Sequence, residues 1–235
     1  MCMNFAWPKG KNIVCVFAHP DDEAFGPGGT IYKLARDNDV YIICATSGDA
    51  GENRSRIKDK PLGEIRAAEL QQSAKILGVK KVFFLGFYDG TLSNNLYHQL
   101  AKAIEEIVVK LKPEILLTAE PLGVSGHIDH IVVSLTTTYV FKKLKSVEWL
   151  LYHCLDESHR LPFMRYFIYF PPGYKHEDID LMVDTADIWE KKIEAMKKHQ
   201  SQVKDIRRII ARYKKLSKTE SFLVKNHHDL LSPRP

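Results

Sequence analysis

No apolar run in the sequence is long enough to cross a bilayer. The longest, residues 128–141, carries a serine and three threonines, whereas a spanning helix needs roughly 18 to 20 predominantly apolar residues. Residues 1–12 lack the apolar core of a secretory leader. Cysteine is scarce: Cys2, Cys15, Cys44 and Cys154 are scattered and form no C-x-x-C pair. That excludes a disulfide scaffold and a thiolate zinc site, and it predicts reduced core thiols in a cytoplasmic protein. Low-complexity stretches, internal repeats and glycine- or proline-rich linkers are absent too, so the 235 residues are expected to form a single domain. Its core is expected over about residues 12–202, with a helical C-terminal extension over about 187–235.

Charge is nearly balanced overall, at +5, but residues 191–218 hold eleven Lys/Arg against two Asp/Glu. A basic segment of that kind suits nucleic acid or an anionic surface. Its apolar residues Ile193, Met196, Val203, Ile206, Ile209, Ile210 and Tyr213 are spaced helically. The expectation is therefore amphipathic helices packed on the core with a solvated basic face, and no nucleic-acid partner.

Strand-like and helix-like segments alternate. Residues 12–18 (NIVCVFA) form a β-branched, almost wholly apolar run, as in a strand buried on both faces of a parallel sheet. Further strands are expected at 40–45, 81–85, 114–118 and 147–153, with two more at 165–170 and 179–183. Helices are expected at 28–36, 62–77, 96–110 and 127–144. The pattern predicts an α/β fold: a Rossmann-like three-layer α/β/α sandwich with a mostly parallel sheet.

In such folds ligands bind at the carboxyl ends of the strands, and polar residues crowd there. His19-Pro20-Asp21-Asp22-Glu23 follows the first strand, and Gly126-His127-Ile128-Asp129-His130 follows the fourth. Packed carboxylates repel one another unless a cation compensates. His19 and Asp22 can face one ion, and His127 and His130 share one face of a helix. Nitrogen and oxygen donors suit Zn²⁺, with other divalent transition metals possible. Gly26-Pro27-Gly28-Gly29-Thr30 is not the dinucleotide fingerprint and reads as close backbone packing.

These two motifs resemble the LmbE-like/PIG-L family of metal-dependent de-N-acetylases acting on N-acetylglucosamine derivatives. Ser47-Gly48-Asp49-Ala50-Gly51-Glu52, Arg66 with Glu69, Tyr88-Asp89-Gly90-Thr91-Leu92 and His199-Gln200-Ser201-Gln202 add weaker similarity over residues 12–202. Ile128 departs from the family's commoner proline without removing a ligand. The resemblance implies that His19, Asp22 and His130 hold zinc and that Asp21 is general base on a zinc-held water. It implies that His127 stabilises the oxyanion or protonates the leaving amine. Asp129 and Asp89 would orient histidines, and Arg66 has the best family analogy for contacting substrate. Arg66 and Arg56 are substrate-binding candidates that read equally as solvated or structural ion pairs, and Glu23 either binds a sugar hydroxyl or caps a helix. The implied partners are a small-molecule amino-sugar substrate and, as in relatives, a possible homo-oligomer. Competing readings are a metal hydrolase of another amide or ester and a non-catalytic sugar-binding module. His199 and Gln202 either close the site or pack beside it, and His227-His228 is expected in an exposed tail.

Overall fold

The computed structural model describes residue 5 and residues 7–159, 167–214 and 216–228. Seven strands form one sheet in the order β3-β2-β1-β4-β5-β7-β6. They are β1 (Asn12–Phe17), β2 (Asp39–Thr46), β3 (Lys81–Phe87), β4 (Ile115–Ala119), β5 (Trp149–Cys154), β6 (Leu181–Asp184) and β7 (Thr219–Lys225). Strands β1 to β5 run parallel, while β7 is antiparallel to both β5 and β6.

The helices are α1 (Asp22–Phe25), α2 (Gly28–Leu34), α3 (Leu62–Ile76), α4 (Tyr97–Leu111), α5 (Gly123–Gly126), α6 (Ile128–Lys143), α7 (Trp189–Met196) and α8 (Val203–Tyr213). Alternation along β1 explains the layering, because successive side chains leave a strand on opposite faces. Ile13, Cys15 and Phe17 join a core with Ile31 of α2, Ala74 of α3 and Met196 of α7. Val14, Val16 and Ala18 join another with Ile104 of α4 and Phe141 of α6. Helices thus cover both faces of a mostly parallel sheet, as the alternating pattern predicts.

The C-terminal part departs from its helical expectation. Strand β7 inserts between β5 and β6, and Glu220, Ser221, Phe222 and Val224 of it are buried. Of the strand expected at 165–170, residues 165 and 166 lie outside the described residues, and 167–170 form none. His227 is docked rather than exposed: its Nε2 lies 2.8 Å from the Val147 carbonyl, and its ring stacks on Phe141 at 4.3 Å. No helix among the described residues is long and apolar enough to cross a membrane.

A buried ion pair ties β7 to the first loop. Lys192 and Glu220 are 0% and 3% exposed, with Nζ 2.6 Å from Oε1. Glu220 also accepts from the Gly29 and Thr30 amides at 2.8 and 2.7 Å, and Lys192 donates to the Gly26 carbonyl at 2.6 Å. Free amides at a helix N-terminus favour a negative charge, so a carboxylate from a distant strand fixes where α2 begins.

Candidate active site

The strand order reverses between β1 and β4, and in open α/β sheets the crevice at that point collects ligands. Here the β1–α1 loop faces the β4–α6 loop across a cavity of about 540 Å³, lined by His19, Asp21, Asp22, Asp89, His127 and His130 among others.

The β1–α1 loop is a tight turn held by its own carboxylate. Asp22 Oδ2 accepts from the Ala18 and His19 amides at 3.1 and 2.9 Å. Asp21 takes φ of 124°, a conformation costly for a residue with a Cβ and typical of strained functional positions. Burial works against the charge of Asp22, but the His130 and His19 rings and the His19 amide hold its carboxyl below the usual range.

The two histidines expected to bind metal face each other. His19 Nε2 lies 2.9 Å from Asp89 Oδ1 and 3.2 Å from Asp129 Oδ2, so that nitrogen carries a proton. His130 Nδ1 donates to the Gly123 carbonyl at 3.2 Å, which leaves its Nε2 with a lone pair. The remaining pair, His19 Nδ1 and His130 Nε2, are 3.0 Å apart. Two lone pairs at that separation need a shared proton or a cation between them. Asp22 Oδ1 stands 3.4 Å from His130 Nε2, and its Oδ2 stands 3.9 Å from His19 Nδ1. Ligands held about 2.0–2.1 Å from a tetrahedral zinc lie roughly 3.3 Å from one another, so these three side chains fit such an ion.

The electrostatics favour positive charge at this point. Burial lowers the His19 pKa, but Asp129, Asp89 and Asp22 outweigh it and hold it at about 10. Burial pushes His130 down to about 4 despite Asp22, which leaves the neutral imidazole that metals bind. One donor atom each from His19, His127 and His130, and one each from His19, Asp89 and Asp129, also fall within 4.8 Å of one another. The second set is already committed to hydrogen bonds: Asp129 accepts from the Gly90 amide at 2.7 Å and the Leu92 amide at 3.1 Å. Asp129 therefore locks the β3–α4 loop and the His19 ring at once. Partners of this kind typically contribute about 10–100-fold in metal affinity. Asp129→Asn is expected to weaken metal binding by about that factor, as read by competition with a chelating dye.

Asp21 and His127 flank the pair. Asp21 Oδ2 is held by Arg66 at 3.0 Å, and burial pushes its carboxyl up to about 7 against the pull of Arg66. His127 caps α6: its Nδ1 accepts from the Asp129 amide at 3.2 Å. That leaves Nε2 to carry the proton, and burial and His19 lower the ring's pKa.

The residues expected at substrate are placed differently. Glu23 is 0% exposed and spent on its neighbours. Its Oε1 meets His199 Nε2 at 2.7 Å and Ser73 Oγ at 2.5 Å, and its Oε2 accepts from the Asp21 amide at 3.1 Å. It supports the Asp21 backbone and does not face the cavity. Arg66 lines the cavity, but its Nη atoms are bound to the Gly48 and Pro20 carbonyls at 2.9 and 2.6 Å and to Asp21; it positions Asp21. Gly48 makes that possible, since a Cβ there would lie 2.6 Å from the Arg66 guanidinium carbon, at φ of +66°. Arg56 is exposed on the surface and absent from the lining, where Arg54 stands instead. His199 is buried behind Glu23, whereas Gln202 lines the cavity.

Sequence reasoning passed over His153, a cavity-lining residue on β5. Its one signal is a polar residue inside the otherwise apolar run WLLYHC.

A mostly parallel sheet with a His/Asp cluster over its switch point defines an α/β protein of the LmbE-like type. The chain belongs to the PIG-L family: the family's model, described as GlcNAc-PI de-N-acetylase, matches residues 14–141. It is 31% identical over 202 residues to the diacetylchitobiose deacetylase of Thermococcus kodakarensis, covering 82% of this chain and 70% of that protein. It is 29% identical over 224 residues to the 1D-myo-inositol 2-acetamido-2-deoxy-alpha-D-glucopyranoside deacetylase of Corynebacterium glutamicum, covering 83% of this chain and 76% of that one. In fold it matches the N,N'-diacetylchitobiose deacetylase of Pyrococcus horikoshii with a TM-score of 0.72 at 24% identity, over 95% of this chain and 87% of the other.

Proposed function

We propose that this protein is a zinc-dependent de-N-acetylase that hydrolyses the acetamide of an N-acetylglucosamine-type sugar or glycoside to acetate and a free amino sugar. The facing lone pairs of His19 and His130, 3.0 Å apart, carry the proposal, because Asp22 beside them completes a three-residue set for a divalent ion. His19 Nδ1, His130 Nε2 and the Asp22 carboxylate would hold it. When bound, zinc supplies a Lewis acid for the acetamide oxygen and lowers the pKa of a water towards ~7.

The remaining work falls to the chain's own groups. Asp21 Oδ1, the oxygen that Arg66 does not hold, takes a proton from the attacking water. As the water oxygen bonds to the acetamide carbon, charge grows on the carbonyl oxygen. The His127 Nε2–H donates to that oxygen or to the departing nitrogen. The C–N bond then breaks as the nitrogen takes up the proton that Asp21 accepted, directly or relayed through the His127 ring, and acetate and amine separate. Asp89 and Asp129 keep the proton of His19 on Nε2, so its Nδ1 stays directed at the ion. The names of the two relatives described above, both deacetylases of N-acetylated sugars, support this substrate class.

The test is amine release from free N-acetylglucosamine, diacetylchitobiose and inositol- and malate-linked glycosides, each with zinc and after chelation. Release that chelation abolishes and zinc restores is expected for at least one of them. Turnover indifferent to chelation, or none from folded, metal-loaded protein, refutes the assignment.

A further inference from the structure

The histidines around the cavity are not alike. His19, His127 and His130 have the partners described above, and His159 Nε2 pairs with Ser217 Oγ at 2.9 Å. His153 is 7% exposed and lines the cavity, yet neither of its ring nitrogens has a hydrogen-bond partner among the described residues. Neither nitrogen is sealed away from solvent, so the ring's donor and acceptor are open to whatever fills the cavity. Metal binding is not indicated, since His153 falls in neither cluster of neighbouring donor atoms.

Packing holds the ring in place. Phe222 meets it edge-on at 5.8 Å. On another side Gly26 closes against it, where a Cβ would lie 3.2 Å from Nδ1 and Cε1. A side chain fixed by packing, with its polar atoms left over, is pre-organised for a ligand. Burial is the largest influence on it and pushes its pKa down to about 4, with Glu220 and Asp22 favouring protonation and Lys192 opposing it. The neutral ring offers one donor and one acceptor, which suits a hydroxyl and not a phosphate or carboxylate.

Its position fits the sugar. His153 pairs in register with Ala119 at the end of β4, and its carbonyl accepts from the Glu120 amide at 3.0 Å. Neighbouring strands lie about 4.8 Å apart, so a pyranose with its acetamide at the β1/β4 crevice extends over β5.

The geometry points to His153 as a substrate-binding residue that hydrogen-bonds a ring hydroxyl of the N-acetylated sugar. The inference rests on the deacetylase reading. It predicts a coupling between this side chain and one hydroxyl. The probes are the methyl glycoside of N-acetylglucosamine and its 3-deoxy, 4-deoxy and 6-deoxy analogues, assayed with zinc-loaded protein. The wild type should lose about tenfold in kcat/KM on one analogue. His153→Phe should lose about tenfold on the parent glycoside, mainly through KM, and nothing further on that analogue. His153→Asn, which keeps a donor and an acceptor, should recover part of the loss. Zinc content and melting temperature should stay near wild type in both variants. The inference is overturned if His153→Phe leaves the parent's kcat/KM unchanged, or if it keeps the wild-type loss on every analogue. Loss of zinc along with activity also overturns it, because the ring would then serve the metal loop. If the wild type hydrolyses none of the glycosides, the deacetylase reading fails first, and that outcome is plain from the wild type alone.

Discussion

Asp21→Asn is expected to lower kcat by about 10²–10⁴, the usual contribution of a positioned general base, while zinc content and fold are retained. The amide can occupy the same space beside Arg66 but cannot accept a proton from water. The pH profile gives an independent reading. With its carboxyl pushed up to about 7 by burial, the proposed base Asp21 can accept a proton only above its pKa. Rate therefore climbs with pH until the carboxyl has ionised. A cation held by His19, Asp22 and His130 favours the carboxylate, which places the acid limb of the loaded enzyme below 7. In Asp21→Asn that limb should vanish. An asparagine variant with near wild-type turnover at full zinc occupancy would show that another group is the base.

The largest expected loss of stability comes from a pair outside the chemistry. Glu220→Ala leaves the Lys192 ammonium buried without its counter-ion and strips two α2 amides of their acceptor. Removing one partner of a buried pair costs about 3–5 kcal/mol, and in a chain of this size that lowers the melting temperature by roughly 10 °C. Burial opposes both charges, yet Lys192 holds Glu220 below its usual range and Glu220 raises Lys192. The pair's contribution is thus present at neutral pH. It fades as acid protonates Glu220 and as alkali deprotonates Lys192. Differential scanning fluorimetry across pH checks both points. Lys192→Met combined with Glu220→Gln should regain part of the loss, since no net charge is then buried. A melting temperature unchanged in Glu220→Ala would mean that water or another group replaces the carboxylate.

The sequence disclosed most where physics is local. Strand β1 was legible because an apolar, β-branched run between polar flanks has few alternatives. Helix α6 was expected from residue 127, one residue before its first helical residue Ile128. The facing loops were legible because acidic and imidazole groups directly after apolar strands need compensation. Residues whose surroundings depend on distant partners were less legible. Glu23 and Arg66 looked available for substrate, and only the fold shows Ser73 and His199 on the Glu23 carboxylate and the Gly48 and Pro20 carbonyls on the Arg66 Nη atoms. Strand β7 was missed because no local pattern reveals the slot between β5 and β6. His153 was missed because one polar residue in an apolar strand is uninformative until its unpaired nitrogens are seen beside a cavity.

The insertion of β7 has a consequence for the order of assembly. Strands β1 to β5 and the His/Asp cluster lie in the first two-thirds of the chain, and these strands pair in parallel with one another. The free edge of β5 has to wait for residues as distant as Lys225, which pairs with Leu150, and β6 has no partner before β7 arrives. During synthesis the half that holds the cluster can therefore take shape while β5 remains an open edge. Unpaired edges of that kind are templates for intermolecular pairing. Closing the sheet is thus a late step, and the same stroke delivers Glu220 to the Gly29 and Thr30 amides of α2.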